Sequence, residues 1–175
     1  MHRSGYLCLR LNRGEKMFDA VQKRMVSHAL VIMLVAFIAG LGLLSSLIGG
    51  IELIPGQIIA ITLPGDSGAW ARAHVGGITN AMLVMIIALI MPGMGITGAL
   101  ASRIGWMFIG TAWGFTVFYW AALFAPNRAL TFGANKFGEA NLAAMIGLLP
   151  ALVFVVVSLA AVIMLIRVAL GGKKA

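Results

Sequence analysis

The sequence predicts an all-α integral membrane protein, a bundle of four transmembrane helices with no soluble domain. Three observations predict it. Of 175 residues 61% are apolar and only 10% charged, and the mean hydropathy of +1.02 lies outside the range of soluble domains. Four stretches are long enough to cross a bilayer, which takes about 20 apolar residues. None of the four contains Asp, Glu, Lys or Arg. A soluble fold of this size needs more polar surface than the chain supplies, so its solvent is largely lipid.

Residues 1–16 form a basic, poorly periodic leader ahead of Met17-Phe18 and an amphipathic lead-in. The favoured reading starts translation at Met17, which leaves 17–175 as a single four-helix membrane domain. The first span runs from Val26 to Ile48. It is longer than the apolar part of a secretory signal and ends in SSLIGGIELIPG, without an A-x-A cleavage site, so it is read as a mature helix. The second span covers about 73–91, just after Arg72; the third covers 104–124 and the fourth 142–166. In hydrocarbon each backbone must satisfy its own hydrogen bonds, which selects helix over strand.

Orientation follows the Lys and Arg count. Arg3, Arg10, Arg13, Lys16, Lys23, Arg24, Arg103, Arg167, Lys173 and Lys174 fall on one side, and only Arg72, Arg128 and Lys136 on the other. Both termini are expected in the cytoplasm of a bacterium, with the chain in its inner membrane. Without the leader the count is six against three, and the topology survives. The net charge of +8 is therefore mainly a topology signal; no interleaving with aromatics suggests a nucleic-acid site.

Several function classes are excluded. The single cysteine, Cys8, rules out a disulfide framework, a CxxC redox pair and covalent CxxCH haem attachment. All five acids (Glu15, Asp19, Glu52, Asp66 and Glu139) lie outside the spans, so a proton-coupled exporter would lack its membrane carboxylate. No Ser/His/Asp set, His-rich dimetal cluster or phosphate loop is present. An enzyme here needs a cofactor to supply most of the chemistry.

The remaining polar residues gather by depth. If the chain enters from the cytoplasm, 49–72 is an outer loop and His74 lies near the outer end of the second helix, with Asn80 roughly 9 Å deeper. Tyr119 rises roughly 22 Å along the third helix toward the same face, where the loop PNRALTFGANKFG (126–138) also lies. His74 reads equally as a solvated interfacial residue or as a ligand, with Gly76 and Gly77 letting a planar group approach the backbone. Asn80, about 240° round the helix from His74, reads as interhelical glue or as a site residue. A site shared with His74 needs local unwinding or a pocket between subunits. Tyr119 reads as an aromatic-belt anchor or a catalytic phenol.

His28 belongs to the opposite end. Its depth differs from that of His74 by most of the ~30 Å hydrocarbon thickness, so the two cannot ligate one haem within a protomer, and it is read as interfacial. On the third helix Thr111, Phe115 and Tyr119 form one i+4 stripe. Trp106, Trp113 and Trp120 form a second stripe, read as packing, and Gly110 with Gly114 make a GxxxG contact signal.

Three segments, IELIPG (51–56), WARAHVGGITN (70–80) and PNRALTFGANKFG (126–138), with Phe118-Tyr119, resemble the styrene oxide isomerases, small membrane enzymes that turn aryl epoxides into aldehydes. The likeness runs from about Met17 to near the end of the fourth helix. It implies a homotrimer with ferric haem b bound between subunits and His74 as its axial ligand, with Asn80 and Tyr119 as catalytic residues. An intersubunit haem would also reconcile His74 and Asn80 facing different ways. The resemblance implies redox-neutral chemistry with haem iron as Lewis acid, on a lipophilic epoxide reached from membrane lipid; a monooxygenase is a candidate partner for supplying it, which the sequence does not decide. One departure stands out. The styrene-type pattern has Asp and Asn where this chain has Thr111 and Phe115, which makes these two positions candidates for tuning the pocket. The competing readings are a haem-b-binding sensor or carrier without isomerase activity, and a purely structural bundle.

Overall fold

The computed structural model describes residues 18–171; the basic leader with Cys8, and Lys173 and Lys174, lie outside the described residues. Four helices dominate: α1 (Ala20–Ile48), α2 (Ser67–Gly93), α3 (Gly98–Ala122) and α4 (Leu142–Ala169). The first three begin six residues before the apolar spans expected from sequence, because polar residues ahead of each span are helical or cap the helix. Asp19 and Gln22 form a reciprocal capping box at 2.7 and 2.9 Å, satisfying two otherwise free backbone N–H groups. Asp66 accepts from the Ala69 N–H at 2.6 Å and starts α2 inside the segment expected to be loop. Asn141 caps α4 through the Ala144 N–H at 3.0 Å, at the expected start.

The 49–72 segment also carries a hairpin that hydropathy alone did not reveal. Strands β1 (Gly50–Ile54) and β2 (Gln57–Ala60) pair antiparallel. Pro55 presets the turn and Gly56 adopts φ 81°, as a two-residue Pro-Gly turn demands. The Glu52 carboxylate accepts from the Gly56 N–H at 2.6 Å and closes it.

Three helices, α1, α2 and α4, are long and apolar enough to cross a membrane. The 25-residue α3 has the length but interrupts its apolar run with Gly, Thr, Trp and Tyr. The order is up-down-up-down. The antiparallel pairing of α1 and α2 is marked at one end by Gln22 Nε2 donating to the Ala88 carbonyl at 3.0 Å, and at the other by Trp70 lying over Gly42. Arg24 on α1 donates to Ser102 at the start of α3 at 3.1 Å, so these two helices run in parallel. Phe154 of α4 lies against Gly110 and Gly114 so closely that a Cβ at either would collide with its ring; the GxxxG signal marks the α3–α4 seam. Lipid tails are as apolar as leucine, so such seams are held by close packing and by interhelical hydrogen bonds worth about 0.6–2 kcal/mol each. Leu34, Phe37, Leu41, Leu149, Val156 and Leu159 are among the many large apolar side chains left on the outside.

Candidate functional site

The two membrane histidines occupy different environments. His74 is half-buried at the α1–α2 edge, its Nδ1 2.8 Å from the Ala36 carbonyl oxygen. A carbonyl only accepts, so Nδ1 carries a proton, and in the neutral ring Nε2 is the nitrogen with the lone pair. Among the described residues Nε2 has no hydrogen-bond partner, and it is not among the buried unpaired nitrogens. The ring fits because residue 40 is glycine: a Cβ there would lie 2.7 Å from His74 Nδ1. His28, read from sequence as interfacial, is half-buried and bonded to α3. Trp113 Nε1 donates to its Nδ1 at 3.2 Å, and the Trp106 ring meets it edge-on at 5.8 Å. The tryptophan stripe therefore supplies a hydrogen bond as well as packing.

Tyr119 reaches the same level as His74 from the other side of α2. Its ring lies on Gly76, where any Cβ would overlap it, and packs edge-on against Phe118 at 5.5 Å. Gly76 is about 160° round the helix from His74. Within one chain the imidazole and the phenol thus flank the exposed face of α2 rather than share an enclosed pocket. Asn80 lies about one and two-thirds turns deeper than His74, with Nδ2 buried and unpaired among the described residues. An orphaned buried amide costs about 1–3 kcal/mol; Arg24 Nε and Trp120 Nε1 are unpaired in the same way.

The Thr111 side chain turns toward α4. Its hydroxyl donates to the Met107 carbonyl at 2.8 Å and lies 3.4 Å from the Phe154 carbonyl, and the residue is buried. Phe115 is half-buried. Successive i+4 steps drift about 40° each, so Thr111 is about 80° from Tyr119 although the two share a nominal stripe.

The loop end of the bundle adds residues that sequence reasoning counted only for topology. Asp66 pairs with Arg128 at 3.1 Å and, more loosely, with Arg72 at 3.9 Å. Arg72 and Arg128 line a cavity of about 360 Å³ together with Asp66 and Phe137, and a smaller one of about 150 Å³ together with Tyr119 and Phe118. Arg128 also stacks on Phe137, 4.1 Å from its centroid. The 126–138 loop holds this arginine in place through Asn127, which is fully buried. Asn127 donates to the Thr131 and Gly133 carbonyls at 2.8 and 3.1 Å and accepts from the Ala129 N–H at 3.0 Å. Arg128 and Ala129 are both left-handed, at φ 60° and 54°, a strain of about 1–3 kcal/mol per residue that persists only where the surroundings impose it. The available signal was that the second and third resembling segments each contribute one arginine.

Among the described residues no group of three or more His, Cys, Asp or Glu converges as a metal site. The donor set at this end comprises one open imidazole, one phenol, one unpaired amide and two guanidinium groups.

Comparison with known proteins agrees with the resemblance read from the motifs. The family model for styrene oxide isomerase matches residues 21–170. The styrene-oxide isomerase of Pseudomonas fluorescens is 35% identical over 145 residues, covering 83% of this chain and 86% of that protein.

Proposed function

Since the chain belongs to the styrene oxide isomerase family and is an isomerase, we propose that it converts an aryl epoxide, styrene oxide or a relative, into the corresponding aldehyde without net oxidation or reduction. Membership sets aside the non-enzymatic readings. The proposal extends to ferric haem b ligated by His74, bound between the subunits of a homotrimer in the bacterial inner membrane. In it α3 also crosses the bilayer and both termini face the cytoplasm. A monooxygenase acting on a vinyl arene would supply the epoxide.

The observation that carries this reading is the state of His74. Ligating imidazoles commonly donate their second ring nitrogen to a carbonyl, which fixes the tautomer and raises the basicity of the ligating nitrogen. His74 has that arrangement, with Nδ1 on the Ala36 carbonyl and Nε2 without a partner among the described residues. The large exposed side chains of Phe37, Leu41 and Val75, next in sequence to its contacts and to His74 itself, offer the apolar surface a macrocycle needs. These residues fit a haem, which when bound would supply a Lewis acid for the epoxide oxygen.

The chain's own residues do the rest. The unpaired Asn80 amide and the Tyr119 hydroxyl orient the epoxide and hydrogen-bond its oxygen as negative charge develops there. The ring opens at the carbon that best bears positive charge, a hydride shifts from the neighbouring carbon, and the carbonyl forms. Water at that moment would give a diol, and the apolar helix faces exclude it.

The test is aldehyde formation by purified ferric protein, without reductant, from a panel of aryl and alkyl epoxides. Aldehyde from at least the aryl members is expected. No aldehyde from any of them, or diol as the main product, would overturn the proposal.

A further inference from the structure

We infer that Arg72 and Arg128 form an anion seat at the loop end of the bundle, beside Tyr119, built to take a carboxylate or phosphate group. Three features of the molecule converge on it. The first is spare donor capacity. Each guanidinium carries five N–H donors, and the pair makes one hydrogen bond to protein among the described residues, from Arg128 to Asp66 at 3.1 Å. Their side chains are 42% and 37% exposed, so the remaining donors are within reach of a ligand. Asp66 is shared between both arginines and the α2 cap, which leaves the cluster net positive.

The second feature is the effort spent on placing Arg128. Two consecutive non-glycine residues in left-handed geometry, fixed by the buried Asn127 network, do not arise from solvation of a surface charge. The third is space. The two arginines and Phe137 line both the cavity of about 360 Å³ and the smaller one that Tyr119 also lines. Planar guanidinium forks match the oxygens of carboxylate and phosphate in bidentate geometry. Two sources carry that chemistry at a membrane surface: a haem propionate, which rests on the function proposed above, and the headgroup of an anionic lipid, which does not.

Full-length protein stripped of haem is titrated at the Soret band with haemin and with haemin dimethyl ester, which has no free carboxylate. In parallel, Tm is measured in phosphatidylcholine nanodiscs with and without phosphatidylglycerol. Wild type is expected to prefer haemin by about tenfold, as a charge-assisted pair would give, or to gain Tm from phosphatidylglycerol. The Arg72→Gln/Arg128→Gln variant should abolish whichever preference is seen. Asp66→Asn, which keeps a capping side chain, should strengthen it, a gain that misfolding cannot mimic. A wild type with neither preference, or arginine variants that retain it, would overturn the seat. Binding of neither porphyrin would count against the haem proposal alone and leave the lipid arm to decide the seat.

Discussion

His28 and His74 are both half-buried histidines on apolar helices, each bonded through Nδ1, and the two bonds run in opposite directions. At His28 the indole of Trp113 donates, so Nδ1 spends its lone pair and the proton lies on Nε2. At His74 a backbone carbonyl accepts, so Nδ1 holds a proton and, in the neutral ring, Nε2 keeps the lone pair. The difference comes from the partner's chemistry, since an indole N–H only donates and a carbonyl only accepts. One histidine accepts a hydrogen bond between helices; the other is anchored to a backbone carbonyl with its second nitrogen unpaired among the described residues, which is what the proposed ligand role requires.

Apart from replacing His74 itself, the largest effect expected from breaking this contrast comes from residue 40. Gly40→Val places a side chain where the His74 ring now sits, and should remove most of the bound haem while His74 itself is unchanged. Haem content per protein measures it; retention would mean that the ring is not held by the Ala36 contact. Next, Tyr119→Phe should lower turnover by about 10²-fold, in the range of a lost positioning hydrogen bond, with haem content nearly constant. The smallest effects concern Thr111 and Phe115. Phe115→Asn should shift preference toward styrene oxide by less than about tenfold, since one polar contact is worth roughly 1 kcal/mol. Thr111→Asp, which buries an acid beside the Met107 and Phe154 carbonyls, should lower Tm instead. A preference shift in Thr111→Asp at unchanged Tm would place residue 111 in the pocket after all.

Much of this is legible in the sequence. Hydropathy gave four helices, because lipid imposes a long, uncharged signal that little else produces. It missed the first six residues of α1, α2 and α3. These contain Lys23 and Arg24, Trp70 and Arg72, and Ser102 and Arg103, which look like loop to a hydropathy window although Asp19 and Asp66 cap helices there. The β1–β2 hairpin was hidden because its two strands, at five and four residues, are too short to show a period. Within the site, chain position brought His74, Asn80 and Tyr119 to one end of the bundle, and the contact of Tyr119 with Gly76 places the first and last at one level. What the sequence could not show was direction: that His74 leans on α1, that Thr111 turns to α4, and that two arginines 56 positions apart meet over Asp66. Those facts depend on loop geometry and helix rotation, which no local pattern encodes.

The most direct test of the account is the visible spectrum of three purified proteins: wild type, His74→Ala and His28→Ala. Wild type and His28→Ala should show the Soret band of ligated ferric haem b. His74→Ala should lose the band or most of the haem and regain it when free imidazole is added to fill the vacated ligand position. A full Soret band in His74→Ala without imidazole, or its loss in His28→Ala alone, would contradict the assignment of His74 as the ligand and the site built around it.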